Sequence, residues 1–276
     1  MAAPAGGADP GLVARGAYLA NAADCVACHT DDKHGGKPFA GGVALPTPFG
    51  TFYSPNITPD RETGIGSWSD GDFRRALRWG VRPDGANFFP AFPYPSFTLI
   101  ADDDVRAIKA YLFSLGPVRH ANRPHDIAFP LSWRPLQTIW KWLYFTPGPF
   151  HPNPGRDAEY NRGAYLVRAL AHCGECHTPR NFLGAMEEGR FLVGNPSGPD
   201  GKRVPNITPD HKTGIGDWTL DDIVGVLKDG RLPTGDEVGG AMQEVVRSTA
   251  KLSDADRHAI AVYLKSVPPV STAEPK

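Results

Sequence analysis

The chain is poor in the features that would settle its class by themselves. Only four cysteines and three methionines occur in 276 residues. No run of 18 or more apolar residues is present, so no segment is expected to span a bilayer as a helix. Net charge is absent too: 29 Lys and Arg against 30 Asp and Glu leave -1. Without a basic stripe, nucleic acid is not an expected partner. Glycine and proline, by contrast, are abundant, at 31 and 28. That composition predicts much loop and turn, limited helix and little regular sheet. A hydrophobic fraction of 41% describes a globular protein with a core.

The four cysteines fall as two pairs, Cys25/Cys28 and Cys173/Cys176, each followed at once by a histidine, His29 and His177. The pattern C-x-x-C-H is written twice, as CVACH and CGECH. It is the signature of c-type haem attachment. Two thiols three positions apart on one helical turn reach the two vinyl groups of a haem, and the adjacent imidazole meets the iron from the same side. Other readings fit less well. A zinc site needs four converging ligands and no histidine after each pair. A thioredoxin-like site expects one pair near strand–helix alternation, which the sequence lacks. Two covalently attached haem c groups are therefore expected.

The chain also repeats itself. Arg15-Gly16-Ala17-Tyr18-Leu19 precedes the first motif, and Arg162-Gly163-Ala164-Tyr165-Leu166 the second. PNITPDRETGIGSW, from Pro55 to Trp68, is matched by PNITPDHKTGIGDW, from Pro205 to Trp218. Next come Ser69 with Asp72 and Thr219 with Asp222, the hydroxyl–carboxylate spacing of a capped helix start. The copies close on AIKAYLFSLGPV and AIAVYLKSVPPV, short amphipathic helices ended by Gly or Pro. The expected fold is mainly α. Two domains, 10–120 and 157–270, each hold a motif helix, a long loop, a middle helix and a terminal helix; residues 121–156 link them. About 110 residues make a small core, which a buried haem would complete.

Both copies resemble class I cytochrome c domains, and nearly the whole chain resembles the cytochrome c subunits of bacterial periplasmic dehydrogenases for alcohols, aldehydes and sugar acids. The NITPD-x-x-TGIG-x-W block and the stretch from Pro90 to Tyr94 carry the resemblance most specifically. It implies two tandem class I domains joined by the aromatic-rich linker, with His29 and His177 as proximal iron ligands. The sixth ligand in this family is usually a methionine before the last helix, which places Met242 on the second iron. Met186, nine residues after His177, lies in a Gly-rich loop. The position matching Met242 in the first copy is Phe92, which cannot bind iron. The first iron is therefore expected to be five-coordinate or weakly ligated, with Phe92 over its distal face. His34, His120, His125 and a ligand from elsewhere remain alternatives. A methionine ligand raises the haem potential, so electrons are expected to enter at the first haem and leave from the second.

Trp68 and Trp218 occupy matched positions and are candidates for contact with a haem propionate, or else core aromatics. Asn56 and Asn206 are expected to order their loops through Asx-type turns. Tyr18 and Tyr165 are expected in helix–helix packing. The linker carries Trp133, Trp140 and Trp142 with few charges, and is no flexible tether. It is expected to pack in the crease between the domains. Residues 129–145 are alternatively a docking face for a dehydrogenase or for peripheral membrane contact.

The resemblance implies an electron carrier rather than a catalyst. It would take electrons from a periplasmic dehydrogenase and pass them to a terminal oxidase or another cytochrome. A dihaem peroxidase or a gas-binding haem protein using an open first haem are the alternatives, although Phe92 offers no acid or base for O–O cleavage. Haem c is attached outside the bacterial cytoplasm, so a periplasmic location is expected. MAAPAGGADP has neither the basic region nor the apolar core of a signal peptide, which points to a processed form.

Overall fold

The computed structural model describes residues 9–198 and 201–272. Helix α1 (Pro10–Ala22) leads into a short helix, α2 (Cys25–His29). A two-stranded antiparallel hairpin follows, β1 (Ala44–Thr47) and β2 (Gly50–Tyr53), with Ala44 opposite Tyr53. Helices α3 (Asp70–Trp79), α4 (Tyr94–Phe97) and α5 (Asp102–Ser114) complete the first half. Helix α6 (Leu136–Tyr144) lies in the connecting stretch. The second half holds α7 (Ala158–Tyr165), α8 (Gly174–His177), α9 (Leu220–Asp229), α10 (Ala241–Thr249) and α11 (Asp254–Ser266). No described helix is long and apolar enough to cross a membrane.

Local chemistry explains the helix starts. Ser69 and Asp72 form a reciprocal capping box on α3, and Thr219 and Asp222 form its counterpart on α9. Both helices end on a glycine with positive φ, Gly80 and Gly230, the conformation a Cβ disfavours.

The same crossing is built twice. Helix α1 packs on α5, and α7 on α11. At each crossing a glycine lets the backbones touch. A Cβ on Gly16 would collide with the carbonyl of Ala107, and one on Gly163 with that of Ala259. The glycine of each Arg-Gly-Ala-Tyr-Leu copy is thus a packing residue.

One residue separates the copies between the repeated tyrosine and the motif. Seven positions run from Tyr18 to Cys25, but eight from Tyr165 to Cys173. The extra residue is absorbed in a π-helical turn, Leu166–Leu170, directly after α7. A π turn is the form a one-residue helix insertion takes. Four of its five side chains are buried, so the insertion costs the core no apolar surface. The buried residues form one cluster through both halves, including Leu19, Phe97, Ile108, Leu166, Leu170 and Ile260.

Candidate haem-attachment site

Each C-x-x-C-H stretch is a short helix entered through an unusual residue. Asp24 and His172, immediately before the first cysteines, are both left-handed, with φ of 51° and 39°. Non-glycine residues in this region mark strain that the surroundings must hold. The following histidines are held alike. His29 Nδ1 lies 2.7 Å from the Pro55 carbonyl and His177 Nδ1 2.8 Å from that of Pro205. A carbonyl only accepts, so each Nδ1 carries the proton and each Nε2 keeps its lone pair. That is the second-shell arrangement of a metal-ligating histidine. Burial pulls both imidazoles below the usual histidine value, against the opposing effect of the proline carbonyls. Both are therefore neutral, as a ligand must be.

The four cysteines are free thiols. Burial pushes Cys25 and Cys173 up to about 12. They stay protonated at neutral pH, unlike the thiolate of a reactive redox pair. Among the described residues, no group of three or more His, Cys, Asp or Glu side chains could hold a metal ion. The two cysteine pairs do not converge into such a group. Paired thiols beside a neutral imidazole with a free Nε2 fit covalent haem.

The loops behind these histidines are matched as well. Asn56 Oδ1 accepts from the backbone N–H of Thr58, and its amide donates to Thr63 and the Val118 carbonyl. Asn206 repeats the set with Thr208, Thr213 and Val270. Both asparagines therefore tie the loop to the tail of the terminal helix, the ordering role their sequence context predicts. Trp68 and Trp218 are half-buried against the core. Their backbone N–H groups bond Ile65 and Ile215.

The two candidate distal residues differ in setting. Met242 lies in the first turn of α10, half-buried. Phe92 packs among Phe88, Tyr94 and Phe97, with ring centroids 5.2, 6.4 and 5.8 Å away. Met186 lines a small cavity with Ser96, Gly174 and Phe191.

The histidine alternatives have other partners. His34 is exposed and pairs with Asp31 at 2.8 Å. His120 is exposed, and its backbone N–H bonds Thr63. His125 accepts from the Tyr53 backbone N–H through Nδ1 at 3.2 Å and packs against Phe52 and Phe89. Its Nδ1 is thus the unprotonated nitrogen and its Nε2 carries the proton, the reverse of the tautomer at His29 and His177.

Contacts between the halves gather around the motifs. Glu175, inside the second motif, accepts from Ser96 at 2.6 Å. His172 meets Phe97 edge to face, centroids 5.3 Å apart. Asp24 accepts from Ser248 of α10, and Asn21 donates to the Ser248 carbonyl at 2.8 Å. The repeated tyrosines cross over as well. Tyr18 donates to Asp256 at 2.6 Å, and Tyr165 to Asp104 at 2.7 Å. They join the two halves, so the helix–helix packing expected of them runs between the copies.

Helix α6 touches both halves. Lys141 donates to the Trp79 and Gly80 carbonyls and to Asn87. Burial pulls this ammonium down to about 8. Trp140 Nε1 donates to the Leu183 carbonyl at 2.9 Å. Its other face is bare: Trp142 is 83% exposed and Ile139 57%.

The chain belongs to the cytochrome c family, whose sequence signature matches residues 13–116. It is 43% identical to a protein described as a dihaem c-type cytochrome from Cereibacter sphaeroides, over 94% of this chain and 87% of that one. It is 44% identical to the gluconate 2-dehydrogenase cytochrome c subunit of Pantoea cypripedii, over 94% of this chain and 60% of that subunit. It is 43% identical to the alcohol dehydrogenase (quinone) cytochrome c subunit of Gluconobacter oxydans, over 98% of this chain and 57% of that subunit. The chain thus spans about three-fifths of these dehydrogenase subunits. Family membership implies covalent haem c.

Proposed function

We propose that the chain is a dihaem c-type cytochrome of two tandem class I domains, 10–120 and 157–270, with 121–156 as the linker. It accepts electrons from a periplasmic dehydrogenase and passes them to a terminal oxidase or another cytochrome. The observation that carries this reading is the duplicated motif with its duplicated histidine tautomer. Two sites prepared alike for ligation support two haems better than one.

When bound, haem supplies the one-electron chemistry. Cys25 and Cys28 would anchor one group through thioethers, and Cys173 and Cys176 the other. His29 and His177, held by the Pro55 and Pro205 carbonyls, would present Nε2 to iron. Met242 is the proposed sixth ligand of the second iron. Phe92 offers no donor to the first, which is proposed as five-coordinate or weakly ligated. Trp68 and Trp218 are offered as propionate donors. The bare face around Ile139 and Trp142 is the proposed contact for the dehydrogenase, or for peripheral contact of 129–145 with a membrane.

The test is haem content and reducibility. The protein matured in a periplasm should carry two haems per chain and be reduced by a quinone- or flavin-dependent dehydrogenase with its substrate. Carbon monoxide should then shift about half of the reduced spectrum, as an electron sink with one open iron requires. One haem per chain, or no reduction by any such dehydrogenase, would refute the reading.

A further inference from the structure

The two halves meet through an exchange of identical parts. Tyr18 of α1 reaches the N-terminus of α11, donating to Asp256 at 2.6 Å and accepting the Ser253 backbone N–H at 3.1 Å. Tyr165 of α7 reaches the N-terminus of α5, donating to Asp104 at 2.7 Å and accepting the Ala101 backbone N–H at 3.1 Å. Asp104 and Asp256 are both buried, at 3% and 8% exposure. Each is also held by the arginine of its own half's repeat: Arg15 Nε to Asp104 at 2.9 Å, and Arg162 Nε to Asp256 at 2.8 Å. Every copy gives one tyrosine and receives one. This is the self-complementary pattern of a two-fold interface, here within one chain.

We propose that the Tyr18–Asp256 and Tyr165–Asp104 hydrogen bonds are positioning contacts that fix the two haem-attachment motifs relative to each other for electron exchange.

Tyr18 stands seven residues before Cys25, and Tyr165 eight before Cys173. The π turn absorbs the additional residue, so both spans end alike. At the far end of each span stands the left-handed residue, and it too touches the other half: Asp24 through Ser248, His172 through Phe97. Each span from tyrosine to motif is thus tied to the opposite half at both ends. Two matched pairs over-determine the orientation, and such over-determination is what holds the strained residues ahead of the cysteines. Electron exchange depends steeply on separation and orientation, so this geometry is where looseness would be felt first.

The inference rests on the two-haem reading, and its test separates the two. Haem content is counted first on the matured protein, then on Tyr18→Phe, Tyr165→Phe and the double variant. Phenylalanine keeps each ring and removes only the hydroxyl. With two haems per chain, circular dichroism in the Soret region reports the mutual orientation of the haems, and flash reduction reports their exchange rate. The double variant should lose most of the Soret couplet and exchange electrons more slowly, while its absorption maxima and carbon monoxide binding stay as in the parent. Where the double variant does not load haem, each single variant is read by the same criteria, with a partial loss expected. Two haems with an unchanged couplet and exchange rate would overturn the proposal. One haem in the parent would instead overturn the reading beneath it.

Discussion

Tyr165 caps a helix that belongs to the other half of the molecule. Its hydroxyl accepts the Ala101 N–H and donates to Asp104, at the N-terminus of α5. Alanine at that N-cap has no side chain to do this itself. The opposite helix, α11, is capped by its own Ser253 and receives Tyr18 in addition. The two tyrosines therefore occupy matched places with unequal duties. Tyr165→Phe should cost about 2 kcal/mol, and Tyr18→Phe about 1. Urea denaturation of both variants would show it, and equal losses would argue against the capping role.

Acid should loosen the same interface. Burial works to raise Asp256, but hydrogen bonds from Arg162 and Tyr18 outweigh it and hold the carboxyl below the ordinary 3.8. A lowered folded-state pKa means that the unfolded chain takes up the proton first. The contribution is complete above the ordinary value and is lost as pH falls through the folded value. Denaturation midpoints should fall below about pH 4, and Asp256→Asn should flatten that part of the profile. An unchanged acid limb in the variant would count against it.

The helix crossings tolerate no side chain. Gly16→Ala and Gly163→Ala each drive a methyl group into a carbonyl of the partner helix. Each should cost about 3 kcal/mol or more, since backbone cannot yield as a side chain can. Thermal unfolding would measure this. Gly85→Ala, where the added Cβ meets nothing but φ is +82°, isolates the smaller backbone contribution, about 1 kcal/mol.

On the two-haem reading, the cysteine pairs act independently. Replacing Cys173 and Cys176 with alanine should leave one haem per chain and abolish the spectral effect of Met242→Leu. In the parent, Met242→Leu should open the second iron to carbon monoxide, and Phe92→Met should reduce carbon monoxide binding at the first. Titration of the reduced proteins checks all three.

The linker helix should divide by face. Lys141→Met removes three hydrogen bonds that tie α6 to the end of α3 and to Asn87, and should cost about 2 kcal/mol. Trp142→Ala, at a position 83% exposed, should change stability by less than about 0.5 kcal/mol. A reduced rate of electron uptake from a dehydrogenase in that variant would mark the face as a docking surface.

The sequence alone determined the chemistry. C-x-x-C-H is a local motif, in which spacing along one helical turn decides what the side chains can reach, and so the signature of haem attachment was legible twice. The capping boxes at Ser69 and Thr219 and the Asx turns at Asn56 and Asn206 were legible for the same reason: their partners lie within a few residues. Only the tertiary structure decided the remainder. That His29 and His177 are oriented by proline carbonyls 26 and 28 residues away follows from loop closure. His125 carries its proton on Nε2, unlike His29 and His177, because β2 supplies its Nδ1 with a backbone donor. Tyr18 and Tyr165 look like ordinary helix-packing residues, because their acceptors lie 238 and 61 positions away. Periodicity reports which face of a helix is buried, but not against which half of the chain. That assignment comes from docking two copies of one pattern so that each completes the other.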